Sequence, residues 1–342
     1  MLNFVRTSDF DFELPPELIA QQPAEPRDSA RLMVLRRATQ TIEHHHVRDL
    51  PDLLAPGSLM VVNDTRVMAA RLFGRRPDTG GSVEVLLLRP FTDRLWEVMF
   101  RPGRQAQTGR TFQFDAHDGP LRATVTARSE DAVTLEFERA FDPSTVGQVP
   151  LPPYIRDYHG DPERYQTVYS REPRSAAAPT AGLHFTPELL LELEHRGIER
   201  AAVTLEVGPG TFKPVTVDDP REHHLHSERV IIPESAATAI HRAKSEGRPV
   251  VAIGTTVVRT LEHVARERGQ IESYAGETEF RILPGDPFLV VDQLMTNFHL
   301  PRSTLLMLVC ALAGTDFILN AYRQAVAERY RFYSFGDAML VL

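Results

Sequence analysis

The hydrophobic and polar positions follow two different patterns along the chain. Up to about residue 70 and again after residue 150, short β-like runs such as Ser58–Val62 alternate with helix-like segments such as Glu234–Glu246. Between about Arg71 and Gly147, short alternating runs are separated by Gly, Pro and Asp turns, without a helical period. We therefore predict a discontinuous α/β main domain, residues 1–70 and 151–342, interrupted by a small all-β, barrel-like domain at 71–150.

The pattern also predicts individual elements of the α/β part. Its clearest helix start has Thr186 as N-cap, Pro187 at the first helical position and Glu188 in the first turn, with a stop at Gly197. The other predicted strands and helices are strands Arg31–Arg36, Thr41–His46, Arg200–Val207, Arg229–Ile232, Pro249–Ile253, Thr278–Leu283 and Phe288–Val291, and helices Leu50–Leu54, Thr256–Arg266, Thr304–Leu312 and Phe317–Tyr330.

Five loops share one character: they are small, rich in Gly, Thr or Asn, and most of them follow a predicted strand. They are Asn63–Arg66, Ala178–Phe185, Val207–Phe212, Gly254–Thr256 and Thr296–Pro301. Each alone suits an ordinary turn or helix cap, whereas ligands of α/β proteins bind at strand ends and at helix N-termini. The chain has neither a G-x-x-x-x-G-K-[ST] loop nor a G-x-G-x-x-G after a strand, which argues against a nucleoside-triphosphate loop and a Rossmann-type site.

Composition excludes some kinds of site and indicates where the protein is located. The chain has 342 residues, a net charge of −8 and one cysteine, Cys310, so a disulfide within the chain and a cysteine-based metal site are excluded. The histidine runs His44–His46 and His223–His226 lack the spacing of a metal site, and we expect no metal. The sequence shows neither a signal peptide nor a long apolar run, so we expect a cytoplasmic protein without a membrane partner.

Arginine is concentrated in the β-rich block. Between Arg66 and Arg110 nine arginines stand against four acidic residues. This local excess could contact RNA phosphates or form a solvated barrel surface, and both interpretations stay open.

Several segments together resemble one family. They are Asn63–Val67, Leu151–Ile155, Glu163–Tyr169, Ala178–Phe185, Val207–Val215, His226–Glu228, Gly254–Glu262, Val290–Gly314 and Tyr330–Met339. In this order, and over essentially the whole chain, they resemble S-adenosylmethionine:tRNA ribosyltransferase-isomerase of queuosine biosynthesis. The chain departs from the family pattern at Glu206, where a His is usual, at Asp286, where an aromatic residue is common, and at Arg174, where a Gly is common. At position 206 a carboxylate would therefore have to serve in place of an imidazole.

The resemblance implies a reaction and its partners. The ribosyl part of S-adenosylmethionine is transferred to 7-aminomethyl-7-deazaguanine at the wobble position of a tRNA and isomerised to give epoxyqueuosine, with release of adenine and methionine. S-adenosylmethionine is then a consumed substrate, no metal or redox cofactor is implied, and we expect a monomer. A non-catalytic RNA-binding protein and a conventional tRNA methyltransferase are the alternatives.

Site residues follow from the loops and the resemblance together. Because the sulfonium acidifies the ribose C5′ protons and the leaving groups need protonation or charge stabilisation, the acid/base candidates are His184, Glu206 and His299. The candidate substrate-binding residues are Asp64, Arg66, Thr180, Gly182, Gly208, Gly210, Thr211, Thr255, Thr256, Arg259 and Asn297.

Overall fold

The computed structural model describes residues 5–129, 132–208 and 215–342, and its internal contacts define two compact units. Unit 1 comprises the chain up to Thr65, Pro153–Glu172 and the chain from Ala178 onwards, and unit 2 comprises Arg66–Pro152 and Pro173–Ala177. The sequence placed the boundaries at 70/71 and 150/151, whereas the observed ones are 65/66 and 152/153. The sequence pattern did not predict that residues 173–177 belong to unit 2.

The elements are numbered in chain order. In the described residues the helices are α1 (Leu50–Leu53), α2 (Pro187–His195), α3 (Glu234–Ser245), α4 (Thr255–Arg268), α5 (Thr304–Ala313) and α6 (Thr315–Ala327). The strands in the same residues are β1 (Arg31–Arg36), β2 (Thr41–His46), β3 (Leu59–Asn63), β4 (Arg66–Val67), β5 (Arg71–Arg75), β6 (Ser82–Pro90), β7 (Leu95–Arg101), β8 (Thr111–Ala116), β9 (Gly119–Arg128), β10 (Val133–Phe137), β11 (Pro173–Ser175), β12 (Glu199–Leu205), β13 (Glu228–Ile232), β14 (Val250–Ile253), β15 (Tyr274–Thr278), β16 (Gln293–Asn297) and β17 (Ala338–Val341).

Unit 1 is built on one mixed sheet with the strand order β15-β13-β12-β3-β14-β16-β17-β1-β2. Its centre, β12, β3, β14 and β16, is parallel. Alternate residues of β3 enter opposite hydrophobic cores: Leu59 and Val61 pack with residues of α3 to α6, and Met60 and Val62 pack with residues of α1 and α2. A parallel sheet covered on both faces explains the uninterrupted apolar runs of these strands.

Unit 2 is a closed antiparallel barrel with the strand order β10-β7-β6-β5-β8-β9, and β9 pairs with β10 to close it. Its interior is filled by aromatic and branched side chains, among them Phe112, Phe114 and Phe137. Gly74 faces this interior, where a Cβ would lie 2.7 Å from the Phe114 ring. The predicted α/β fold with a small all-β barrel is thus confirmed.

Several local predictions are also confirmed. The strands Arg31–Arg36 and Thr41–His46 have their predicted bounds. The hydroxyl of Thr186 accepts a hydrogen bond of 3.0 Å from the Leu189 N–H, and Gly197 follows α2 with a φ of +78°. The cap and the stop therefore act as the residue types indicate.

The predicted strand Phe288–Val291 is wrong, and Glu262 explains why. This carboxylate, fully buried on α4, accepts hydrogen bonds of 2.8 to 3.0 Å from the N–H groups of Leu289, Val290 and Val291. A side chain therefore takes the place of a neighbouring strand, and β16 begins only at Gln293.

The predicted strand Thr278–Leu283 is wrong as well. β15 ends at Thr278, whose hydroxyl accepts the Phe280 N–H at 3.1 Å, and Arg259 Nε donates to the Phe280 carbonyl at 3.0 Å. The chain beyond Thr278 is thus held by side chains. Strand β17, between β16 and β1, was not predicted.

No single helix in the described ranges is long and apolar enough to cross a membrane. The adjacent helices α5 and α6 pass that test only as a pair, with a bend of 117° between them.

The replacement Glu262→Gln tests the buried carboxylate. A Gln offers one acceptor oxygen and turns an NH₂ group toward backbone donors, so we expect the free energy of unfolding to fall by about 2–3 kcal/mol. Urea denaturation measures the change. Glu267→Gln, on the exposed part of the same helix, is the control and should cost under about 0.5 kcal/mol. Equal effects of the two substitutions would contradict the assignment.

Candidate active site

Four of the five loops meet at one edge of the central sheet. Because β12, β3, β14 and β16 run parallel, their carboxyl ends lie side by side. We call this the C-edge and define it by the residues that end or follow these strands: Asn63–Thr65, Glu206–Gly208, Gly254–Thr256 and Asn297–His299. Ligands of parallel sheets bind at such an edge.

Asn63 ties three of these strand ends together. Its buried side-chain amide donates to the Leu205 carbonyl at 3.0 Å and to the Thr256 hydroxyl at 3.3 Å. The amide oxygen accepts the N–H groups of Leu205 and Thr65, both at 3.1 Å. One uncharged side chain therefore fixes the ends of β12 and β3 relative to the start of α4.

Asp64 follows directly. Its carboxylate accepts a 2.6 Å hydrogen bond from the Thr204 hydroxyl, and Arg171 Nε lies 3.6 Å from the other oxygen. Asp64 is nearly buried, whereas the Arg171 side chain is exposed. The carboxylate is thus oriented by β12 and belongs to the C-edge.

Arg259 and Glu228 form a buried ion pair beside the C-edge. The other Glu228 oxygen accepts the N–H of Gly208 at 2.9 Å. Arg259, predicted to meet a phosphate or a carboxylate, thus pairs with a carboxylate of this chain. The pair holds the backbone of the Val207–Gly208 turn, and a buried pair with both ends hydrogen-bonded avoids the cost of an isolated charge.

The segment Ala178–Phe185 forms the 3₁₀ helix Thr180–His184, which packs against the C-edge. Gly254 has a φ of +96°, and a Cβ there would lie 3.6 Å from the Ala181 Cβ. Gly182 leaves room for its neighbours: a Cβ there would lie 2.8 Å from Thr167 Cγ2 and would clash with the Tyr169 hydroxyl. The buried Tyr169 hydroxyl has no hydrogen-bond partner among the described residues.

His184 connects this 3₁₀ helix to the loop before β17. Nδ1 lies 3.1 Å from the Ala181 carbonyl and Nε2 lies 3.0 Å from the Gly336 carbonyl. Burial lowers the pKa of His184, while the two carbonyls act in the opposite direction. A neutral imidazole carries one N–H and can donate to only one of these oxygens.

Asn297 and His299 form the end of the C-edge at β16. Asn297 Nδ2 donates to the Tyr333 carbonyl at 2.9 Å, and its buried Oδ1 has no partner among the described residues. His299 Nε2 lies 2.9 Å from the Thr296 hydroxyl. Burial lowers the pKa of His299 to about 3, so the imidazole is neutral near pH 7.

Glu206 directly follows β12. Its N–H donates to the Arg229 carbonyl at 2.9 Å, and its carboxylate lies 3.8 Å from Arg229 Nη1. The Glu206 side chain is 18% exposed and that of Arg229 is 50% exposed. A carboxylate therefore stands at the C-edge beside a solvated cation.

The remaining predicted residues are distributed as follows. Thr255 is buried at the start of α4, Thr180 begins the 3₁₀ helix, and Arg66 lies on β4 in unit 2. Gly210 and Thr211 lie outside the described residues. Sequence reasoning missed Asn63, Glu228 and Tyr169 as site residues, although each lies within a segment that carried the family resemblance.

The histidine run His44–His46 has ordinary partners. His44 Nδ1 lies 2.7 Å from the Tyr330 hydroxyl, and His45 Nε2 lies 3.3 Å from Glu43. Among the described residues no group of three His, Cys, Asp or Glu side chains is arranged to hold a metal ion.

Comparison with known proteins gives one consistent result. The family model described as "Queuosine biosynthesis protein" matches residues 7–341. S-adenosylmethionine:tRNA ribosyltransferase-isomerases of Symbiobacterium thermophilum and Moorella thermoacetica are 53% and 52% identical to this chain, each over 99% of this chain and 100% of the relative. The crystal structure of the S-adenosylmethionine tRNA ribosyltransferase from Thermotoga maritima matches 98% of this chain and 100% of that chain, with 41% identity and a TM-score of 0.58.

The replacement Gly182→Ala tests the packing of the 3₁₀ helix. The added Cβ overlaps Thr167 and the Tyr169 hydroxyl, so we expect a loss of about 1–3 kcal/mol in unfolding free energy. Adding Tyr169→Phe removes one of the two obstacles and should restore part of that loss. Urea denaturation of the two single variants and the double variant measures the coupling, and strict additivity would contradict the proposed contact.

Proposed function

The chain belongs to the queuosine biosynthesis family of S-adenosylmethionine:tRNA ribosyltransferase-isomerases, and from this premise we propose that its C-edge is the active site. Its activity is transfer and isomerisation of the ribosyl moiety of S-adenosylmethionine onto tRNA. The observation that carries the site assignment is the meeting of four candidate loops at the carboxyl ends of the parallel strands.

The acceptor we propose is 7-aminomethyl-7-deazaguanine at the wobble position of the tRNA. The nitrogen of its aminomethyl group forms a bond to the ribosyl unit of S-adenosylmethionine. The C–S bond to methionine and the C–N bond to adenine break, the protons released from the amine and from C5′ pass to a base and to solvent, and the product is epoxyqueuosine. We propose no resident metal or redox cofactor, because S-adenosylmethionine supplies both the ribosyl group and the leaving groups. We also propose a cytoplasmic monomer, since the substrate is tRNA and one chain provides the whole C-edge.

Polar groups of the C-edge and its neighbours can form hydrogen bonds with S-adenosylmethionine and with the acceptor base. The start of α4 at Gly254–Thr256 presents backbone N–H groups and the positive end of a helix dipole. The buried oxygen of Asn297 can accept a hydrogen bond from a base edge, and the hydroxyl of Tyr169 can bind a ribose oxygen. We propose that Gly182, Gly208, Thr255 and Thr256 line the part of the site that holds the methionine and ribose, with Gly210 and Thr211 next to Gly208 in sequence.

The three acid/base candidates differ in what their surroundings allow. Glu206 is a partly exposed carboxylate and is the proposed base for a C5′ proton beside the sulfonium. His299 is neutral because of burial and is the proposed hydrogen-bonding partner of a leaving group. His184 faces two backbone carbonyls, and we propose that it positions the 3₁₀ helix.

Product analysis tests the activity of this chain. Wild-type protein, S-adenosylmethionine and an anticodon stem-loop carrying 7-aminomethyl-7-deazaguanine should yield adenine and methionine in equal amounts, measured by liquid chromatography with mass detection. The same stem-loop with guanine at the wobble position is the control and should yield neither. S-adenosylhomocysteine would instead identify a methyltransferase, and RNA binding without adenine release would identify a non-catalytic RNA-binding protein.

The replacement Glu206→Gln tests the proposed base. Loss of a general base lowers kcat by roughly 10²- to 10⁴-fold, and the stability of the variant should stay close to that of the wild type. Glu206→His restores a proton acceptor, so activity should return in part. Because imidazole titrates about two pH units above a carboxyl group, the acidic limb of the kcat/KM profile should move to higher pH. A Glu206→Gln variant with wild-type kcat would exclude this role.

A further inference from the structure

Phe73 lies on the outer face of the barrel with about half of its side chain in solvent. Its relative exposure is 52%, whereas the next residues along β5, Leu72 and Gly74, face the barrel interior. Among the described residues, the other phenylalanine exposed to this extent is Phe91, at 48%. An exposed aromatic ring on a rigid strand is available to bind a planar partner.

Arginines surround Phe73 on this outer face. Arg71 and Arg75 lie two residues away on β5 and therefore share its face of the strand. On the adjacent strand β6, Glu84 is in register with Phe73, and on the next strand, β7, Arg101 is in register with Glu84. Each of these four charged residues lies at an outward position of its strand.

Outward residues also lie in register on the other side of β5, farther around the barrel. Arg75 is in register with Gln113 on β8, and Gln113 is in register with Arg122 on β9. We call Arg71, Phe73, Arg75, Arg101 and Arg122 the barrel platform.

The cations of the platform are only partly compensated. Arg71 pairs with Glu84 at 3.1 Å, and Arg75 pairs with the exposed Asp115 at 3.4 Å. Arg101 and Arg122 are exposed, and their guanidinium groups form no ion pair with any described residue. Solvated ion pairs are weak and exchange readily, so this face favours a polyanionic partner.

We propose that the barrel platform binds an unpaired segment of the tRNA substrate that runs across the strands, with one base stacked on Phe73 and phosphates of the flanking nucleotides bound by Arg101 on one side and Arg122 on the other. Base stacking on an aromatic ring together with guanidinium contacts to the backbone is how proteins hold single-stranded nucleic acid. The proposal rests on the proposed function, because it takes the tRNA substrate as given. It also assigns a role to the arginine excess of this block, for which the sequence left two interpretations.

Steady-state kinetics with full-length modified tRNA tests the platform. Phe73→Ala should raise the KM for tRNA, and the Kd in a filter-binding assay, by about 5- to 100-fold, since each stacked base contributes that much. The KM for S-adenosylmethionine and kcat at saturating tRNA should not change. Phe73→Tyr keeps the ring and should restore wild-type values, and Phe91→Ala is the matched control without effect.

Salt dependence supplies a second readout. Replacing Arg101 and Arg122 with Gln should reduce the slope of log Kd against log salt by about 0.7 for each lost phosphate contact. An unchanged tRNA Kd for Phe73→Ala overturns the proposal. A second result would also overturn it: sedimentation that shows the wild type as a dimer without RNA and Phe73→Ala as a monomer. The partner of Phe73 would then be a second copy of the chain. Adenine release by the wild type is measured separately, so failure of the platform and failure of the proposed function are distinct results.

Discussion

The structure of unit 1 depends on one constraint: backbone N–H and C=O groups at the ends of its buried strands need hydrogen-bond partners. At each strand end, N–H and C=O groups lose their neighbours and need other partners, because an unpaired buried polar group is costly. Asn63 supplies those partners between β3 and β12, Glu228 supplies one for Gly208, and Glu262 supplies three for the segment before β16. The same bonds that satisfy the backbone also fix the loops of the C-edge, so stability and site geometry have one origin.

The local sequence pattern was sufficient to predict some elements of unit 1. The strands Arg31–Arg36 and Thr41–His46 and the cap at Thr186 were predicted from adjacent residues, and the structure has them there. The segment Phe288–Val291 is a continuous apolar run like the centre of Arg31–Arg36, yet its hydrogen-bond acceptor is Glu262, 27 to 29 residues earlier on a helix. No periodicity within the segment can reveal a partner on another element, which is why this strand was predicted in error.

In the candidate site too, local sequence does not reveal contacts between residues that are far apart in the chain. Its loops were recognisable from their residue types and from the family resemblance, but their roles depend on contacts across the fold. Arg259 was expected to meet a ligand, and instead its charge is compensated by Glu228, 31 residues away. His184 was expected to exchange protons, whereas its Nε2 lies against the carbonyl of Gly336, 152 residues away. Residue type therefore indicated candidate loops, and the tertiary contacts add which of their side chains are engaged by the protein itself.

Glu206 is the position where these arguments converge. An imidazole and a carboxylate both accept a proton, but only the carboxylate is anionic when it does so, and a sulfonium substrate is a cation. An anionic base beside a sulfonium gains Coulomb attraction to the substrate before reaction, and that attraction disappears as the proton is transferred. Part of the binding energy would then stabilise the bound substrate more than the transition state, which raises affinity at the expense of kcat. The nearby cation of Arg229 would offset some of this attraction, so the proposed base is best treated as the Glu206–Arg229 pair and not as Glu206 alone.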